Sequence, residues 1–212
     1  ATSGSVSLMN ALKNTLIIAL AASIVSTILG TFAAIGIHNM KGRWKRSIQF
    51  MNNVPMLNPD IITGVSLFLL FVFLGISKGY ATIILSHITF CTPYVVLNVM
   101  PKLTQMNPNI YDAALDLGAN PFQALLKVVI PQLKTGMLTG FILAFTMSLD
   151  DFAVTYFTAG SSGVDTLSTF IYSDVRKGGL TPELKPMMTI IFLVILAVLL
   201  FVNLRAEKAV KK

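Results

Sequence analysis

The sequence predicts an all-α protein that threads a membrane several times, and three observations carry that prediction. Apolar residues make up 54% of the 212-residue chain and charged residues only 12%. Mean hydropathy is +0.75, a value foreign to ordinary soluble domains. The apolar residues gather into runs near the ~20 needed to cross a ~30 Å hydrocarbon core. Five spans can be drawn, roughly residues 14–37, 58–77, 80–100, 136–158 and 186–204, within one transmembrane domain over 1–212.

In the first span Ala22, Ser26, Gly30 and Ala34 recur every four residues, and Ala19, Ser23 and Thr27 form a parallel row. Small residues at this spacing let two backbones approach closely, so the helix is expected to lie between other helices. The run QFMNNVPMLN precedes the second span and leads to Asn58-Pro59-Asp60. Two readings of Asp60 stand. Pro55 and Pro59 can break a long helix and leave Asp60 well inside the membrane. Alternatively, Asn58 caps a helix starting at Pro59, with Asp60 in its first turn near the inner interface.

The third span carries His87 and Cys91 one turn apart; with His38 distant in sequence there is no metal-ligand spacing, and the reading is a packed helix interior. A single cysteine also excludes an internal disulfide. The fourth span holds Asp150 and Asp151 more than halfway along, followed by Phe152, Thr155, Tyr156 and Phe157. A carboxylate at mid-bilayer costs roughly 2.5 to 3.5 kcal/mol on insertion scales, so such groups mark a function. Acid beside aromatic rings suits an organic polycation, bound by charge pairing and cation–π contact. Adjacent helical residues point ~100° apart, so one Asp is expected to line a pathway while the other pairs with a neighbouring subunit. The competing reading places both in interhelical hydrogen bonds, or at the interface if the helix ends early. Asp165 and Asp174 fall in a polar external segment, where solvent or a substrate-delivery protein would meet them. The last span, MMTIIFLVILAVLLFVNL, has almost no small or polar residues and reads as a lipid-facing anchor.

Charge orients these spans. Lys41, Arg43, Lys45 and Arg46, then Lys102, Lys127 and Lys134, then Arg205, Lys208, Lys211 and Lys212 collect on one side. The other side holds Lys13, Lys78, Arg176, Lys177 and Lys185. The positive-inside rule puts residues 101–135 in the cytoplasm and the N-terminus outside. The net charge of +7 therefore flanks membrane spans. It does not form the aromatic-interleaved patch of a nucleic-acid binder.

Within that cytoplasmic loop, DAALDLGANPFQALLKVVIP forms a polar helix–break–helix unit. Asn107-Pro108 can open a helix that Tyr111 through Leu117 continue, and Gly118 sits where a left-handed cap would end it. Asn120-Pro121 restarts the pattern as N-cap and first helical residue, and the second helix runs to Pro131 as its breaker. Tyr111, Ala113, Ala114 and Leu117 place small and apolar groups on one side, suited to a shallow groove on a soluble partner.

These residues resemble the E-A-A-x3-G-x9-I-x-L-P signature of ABC importer permease subunits. Here it reads Asp112, Ala113, Ala114, Gly118, Val128, Ile130 and Pro131, with Asp for Glu, Val for Ile and Ile for Leu. SLDDFAVTYFTAG, HNMKGRW and NPDIITGVSL extend the likeness to the C-type permease of spermidine/putrescine importers over nearly the whole chain. The resemblance implies a type I importer fold in the bacterial inner membrane, with a first span and external loop preceding this stretch. It implies a second permease subunit, a dimer of ATP-binding cassette subunits that binds the ATP and Mg, and an extracytoplasmic solute-binding protein. Tyr111, Asp112, Ala113, Ala114, Leu117, Gly118, Ala119 and Pro131 would couple to the ATPase. Asp60, Asp150, Asp151, Phe152, Thr155 and Tyr156 would meet the polyamine.

Other function classes fit less of the sequence. No phosphate-binding G-x-x-x-x-G-K-[ST] loop occurs, so hydrolysis and cofactors are expected of a partner. An ion-coupled secondary transporter would use membrane carboxylates without needing the cytoplasmic elbow, and no internal repeat is seen. A membrane enzyme needs a nucleophile and base or a metal cluster, which two separated His and one Cys do not supply. Within the importers, a metal cation or another small solute is the alternative cargo; an oxyanion suits the carboxylates poorly.

Overall fold

The computed structural model describes residues 2–160 and 163–176, with scattered helical positions between 186 and 200. Among these residues every regular element is helical. In order they are α1 (Thr2–Asn39), α2 (Gly42–Leu57), α3 (Asp60–Phe73), α4 (Tyr80–Gln105), α5 (Ile110–Asp116), α6 (Pro121–Ala124), a π turn at Leu125–Val129, α7 (Ile130–Asp150), α8 (Ala153–Ala159) and α9 (Leu167–Arg176). The stretches Ser7–Asn39, Tyr80–Gln105 and Pro121–Asp150 are each long and apolar enough to cross a membrane, and α2 with α3 makes a fourth candidate, bent by 106°. The expected span at 186–204 lies largely outside the described residues.

Helices α1, α4 and α7 form the core, each packed on the other two, and glycine decides how closely α4 meets its neighbours. A Cβ on Gly30 of α1 would lie 2.7 Å from the Val95 Cβ of α4. From the other side, a Cβ on Gly136 of α7 would lie 2.9 Å from the Asn98 carbonyl, and one on Gly140 3.2 Å from Val95. Lipid tails are as apolar as Leu, so close packing rather than water exclusion holds such helices together. Both small-residue rows of α1 are buried, as their spacing predicts. Ser26 adds a hydrogen bond to the Ile88 carbonyl of α4 (3.2 Å).

Two helix interruptions depart from the expected spans. Pro55 lies inside α2 without ending it; the chain breaks at Asn58-Pro59, and α3 begins at Asp60 without a side-chain cap from Asn58. The stretch 136–158 is not one helix either. Helix α7 stops at Asp150, Asp151 is extended (φ −61°, ψ 130°), and α8 starts at Ala153. Asp151 causes the restart: its carboxylate accepts the N–H groups of Val154 (3.2 Å) and Thr155 (2.8 Å), which lack intrahelical partners at a helix start.

The elbow folds largely as its residues dictate. Gly118 is left-handed (φ +88°). Its N–H bonds the Leu115 carbonyl (2.9 Å) and that of Ala119 bonds the Ala114 carbonyl (3.1 Å), closing α5. Asn120 and Gln123 then cap α6 reciprocally, at 2.8 and 3.3 Å. The second helix does not end at Pro131, which corrects the expected breaker. It passes through the π turn, where Ile130 bonds back to the Leu125 carbonyl, and runs on as α7. Proline lacks the N–H and would press on the carbonyl four residues back. A wider preceding turn relieves that conflict without stopping the helix.

Candidate functional site

The two helix breaks face each other. A Cβ on Gly64 of α3 would lie 3.0 Å from the Ala153 carbonyl and 3.2 Å from the Val154 Cα, so α3 rests directly on the start of α8. Asp60 is one turn before Gly64 and Asp150 is three residues before Ala153, which brings the two exposed carboxylates into one region. They lie within electrostatic range of each other, and Asp60 also acts on Tyr94. Asn52 of α2 reaches the carbonyl of Pro93, halfway along α4 (3.4 Å). Asn52 lies six residues before the first break, so this bond ties α2, the helix leading into the break, to the middle of α4. Among the described residues neither Asp60 nor Asp150 is paired with Lys or Arg.

Asp151 behaves differently from its neighbour. Besides the two backbone bonds it accepts the Thr155 hydroxyl (2.8 Å), and His87 Nε2 approaches it to 3.4 Å. His87 is fully buried on α4, with Nδ1 2.6 Å from the Ser148 hydroxyl and Nε2 2.9 Å from the Thr155 hydroxyl. Since Thr155 donates to Asp151, its oxygen is left to accept from Nε2–H. Ser148 closes α7 and Thr155 opens α8, so one imidazole holds both sides of the break. Asp151 and Thr155 thus belong to an interhelical network, the competing reading of the acidic pair, while Asp150 keeps the open side. Sequence spacing marks His87 and Cys91 alike as core residues and carries no sign that the buried Ser148 and Thr155 face His87.

Phe152 and Tyr156 continue the site away from the breaks. Their rings stack at 5.4 Å, and both meet Tyr172 of α9, at 4.8 and 5.7 Å. Tyr172 is hidden in the sequence because the segment holding Asp165 and Asp174 reads as polar and external, although α9 is amphipathic and its Ser168 bonds the Asp151 carbonyl (2.6 Å). A cavity of about 880 Å³ opens beside these rings, with Phe68 and Phe157 also in its wall. Asp165 is exposed as expected, whereas one oxygen of Asp174 is buried without a hydrogen-bond partner among the described residues.

At the other end of the bundle the elbow presents two faces. Ala114 is buried and Tyr111 packs on the core, so these two hold the elbow to its own chain rather than offering a docking face. The reason is helical phase: Tyr111 and Ala114 lie three apart on the inner side, and Ala113 and Leu117 four apart on the outer. Leu117 is 89% exposed and Phe122 68% exposed, while Asp112 and Ala113 are also exposed. Ala119 is half-buried in the turn, and Pro131 lies at the start of α7. Among the described residues no group of three or more His, Cys, Asp or Glu could hold a metal ion.

Comparison with known proteins agrees with this architecture. The putrescine transport system permease protein PotI of Escherichia coli is 38% identical over 192 residues, covering 87% of this chain and 67% of that protein. The spermidine/putrescine transport system permease protein PotC of Escherichia coli is 35% identical over 205 residues, covering 97% and 77%. The inward-facing MetNI methionine ABC transporter superposes with a TM-score of 0.75 at 15% identity, covering 100% of this chain and 98% of that one. A family model of binding-protein-dependent transport system inner membrane components matches residues 26–210. The chain belongs to that family, as a multi-pass inner membrane permease subunit with the fold of ABC importer permeases.

Proposed function

We propose that this permease carries polyamines such as putrescine and spermidine into the cytoplasm, powered by a separate ATPase. The observation that carries the reading is the pair Asp60 and Asp150, exposed, close and, among the described residues, without a cationic partner where two broken helices meet. Two like charges held together there are stabilised by a cargo carrying several positive charges. Phe152, Tyr156 and Tyr172 add ring faces that attract ammonium groups. The names of the 38% and 35% identical relatives support the same cargo.

Energy would enter at the elbow. Leu117 and Phe122 project from a turn fixed by Gly118 and the Asn120–Gln123 cap, so a partner pushing on them moves α7 as a lever through the continuous stretch Pro121–Asp150. That partner is a dimer of ATP-binding cassette subunits, which holds the ATP and Mg. A second permease subunit completes the passage within the lipid, and an extracytoplasmic solute-binding protein delivers the cargo. Closure of the nucleotide sites then rocks the helices and alternates access.

The test is ATP-dependent uptake of labelled spermidine into vesicles holding the complete transporter, with excess putrescine or sulfate as competitor. Inhibition by putrescine and not by sulfate supports the reading. Absent polyamine uptake by an assembled, ATP-hydrolysing complex would discard the cargo and keep the permease.

A further inference from the structure

The turn that carries Asp150 is held by the start of α9. Asp151 lies between α7 and α8, and the N–H four residues on, that of Thr155, goes to the Asp151 carboxylate rather than to its carbonyl. The Ser168 hydroxyl donates to that carbonyl instead, at 2.6 Å. Ser168 is itself fixed to α1 through its neighbours. The Leu167 N–H donates to the Thr15 hydroxyl oxygen (2.8 Å), and the Asn14 amide donates to the Asp165 carbonyl (2.8 Å). Thr166 and Thr169 close the first turn of α9 on itself. The Thr166 N–H donates to the Thr169 hydroxyl oxygen (2.9 Å), and the Phe170 N–H donates to the Thr166 carbonyl (2.8 Å). Thr15, Thr166 and Thr169 are all buried. The segment Asp165–Ser168 is therefore a strut from α1 to the break.

We propose that Ser168 is a positioning residue for cargo binding: by holding the Asp151 carbonyl it fixes the turn in which Asp150 keeps its carboxylate on the open side. The two adjacent acids do different work, Asp151 capping α8 and Asp150 lying exposed. That division depends on the extended backbone of Asp151 (φ −61°, ψ 130°). Rotation about its ψ swings the end of α7, and Asp150 with it, relative to α8. The same rotation draws the carbonyl away from Ser168, so the hydrogen bond opposes it. His87 holds the break from the side of α4 through Ser148 and Thr155, and Ser168 holds it from the side of α9. The proposal rests on the polyamine reading above and adds to it a residue that acts on the cargo only through Asp150.

The experiment measures KM and Vmax for labelled putrescine uptake by the complete transporter in vesicles, for the wild type and for Ser168→Ala, Ser168→Thr and Thr15→Val, with ATPase assembly followed alongside. Loss of one hydrogen bond should raise KM about two- to tenfold in Ser168→Ala with Vmax and assembly kept, while Thr retains the hydroxyl and behaves as the wild type. Thr15→Val removes the acceptor at the other end of the strut and should raise KM in the same direction. In an Asp150→Asn background Ser168→Ala should change KM by less than about twofold, because the carboxylate it positions is gone. A hydroxyl that only stabilised the fold would act equally on both backgrounds. Equal rises in the two, an unchanged KM in Ser168→Ala or Thr15→Val, or lost assembly in Ser168→Ala would overturn the proposal. Wild-type vesicles without putrescine uptake would instead sink the polyamine reading. The strut is then read from labelling of Asp150→Cys by an alkylammonium thiol reagent, the native Cys91 being buried. Adding Ser168→Ala should slow that labelling about two- to tenfold, and an unchanged rate would overturn the positioning role.

Discussion

Replacing His87 with Leu tests whether one imidazole holds the break between α7 and α8. The substitution keeps an apolar body in a fully buried site and removes both ring nitrogens. Two interhelical hydrogen bonds are lost, to Ser148 at 2.6 Å and Thr155 at 2.9 Å. Asp151 is not orphaned, because it keeps the N–H groups of Val154 and Thr155 and the Thr155 hydroxyl. The loss is therefore that of two bonds rather than of a buried unpaired charge. Within membranes such bonds average about 0.6 kcal/mol and reach about 1.7, so the expected destabilisation is about 1 to 3 kcal/mol. Ser148→Ala should cost one bond alone, about 0.6 to 1.7 kcal/mol. The double variant should fall short of the sum by about that amount, since the shared bond can be lost only once. Reversible denaturation of the purified protein in mixed micelles measures all three. A strictly additive double variant, or a neutral His87→Leu, would refute the clamp.

Two further perturbations probe the elbow and the core. Gly118→Leu forces a side chain into a left-handed turn where nothing else lies within 4 Å. The strain is about 1 to 2 kcal/mol, and the expected outcome is weaker co-purification of the ATPase with membrane insertion intact; full ATPase recovery and uptake would contradict this. Gly136→Val adds atoms where even a Cβ would meet the Asn98 carbonyl at 2.9 Å. Overpacking of about 1 to 3 kcal/mol should lower the unfolding midpoint, and an unchanged midpoint would contradict the tight α4–α7 contact.

Legibility in the sequence followed locality. The small-residue rows of α1 announced a buried helix because a four-residue spacing needs no knowledge of the partner. Gly118, Asn120 and Pro121 announced the elbow because caps and turns are set by adjacent residues. The break after Asp150 was harder. Its cause is also local, an Asp capping the next turn, but hydropathy runs straight through LDDFAVTYF and masks it. Pro131 misled because proline ends helices as a rule, and a π turn that accommodates it leaves no mark in the hydropathy pattern. The facing of His87 toward Ser148 and Thr155 depends on how separate helices rotate about their axes. Side chains of one helix do not specify that rotation.

The most direct measurement is ATP-dependent spermidine uptake by the complete transporter carrying Asp60→Asn, Asp150→Asn or both, with ATPase assembly measured alongside. Each substitution keeps shape and removes one of the two charges. The account expects uptake to fall about tenfold or more for each variant, the loss of one charge-assisted interaction, with assembly unchanged. Undiminished uptake by the double variant would contradict the claim that these two carboxylates carry the cation past the helix breaks.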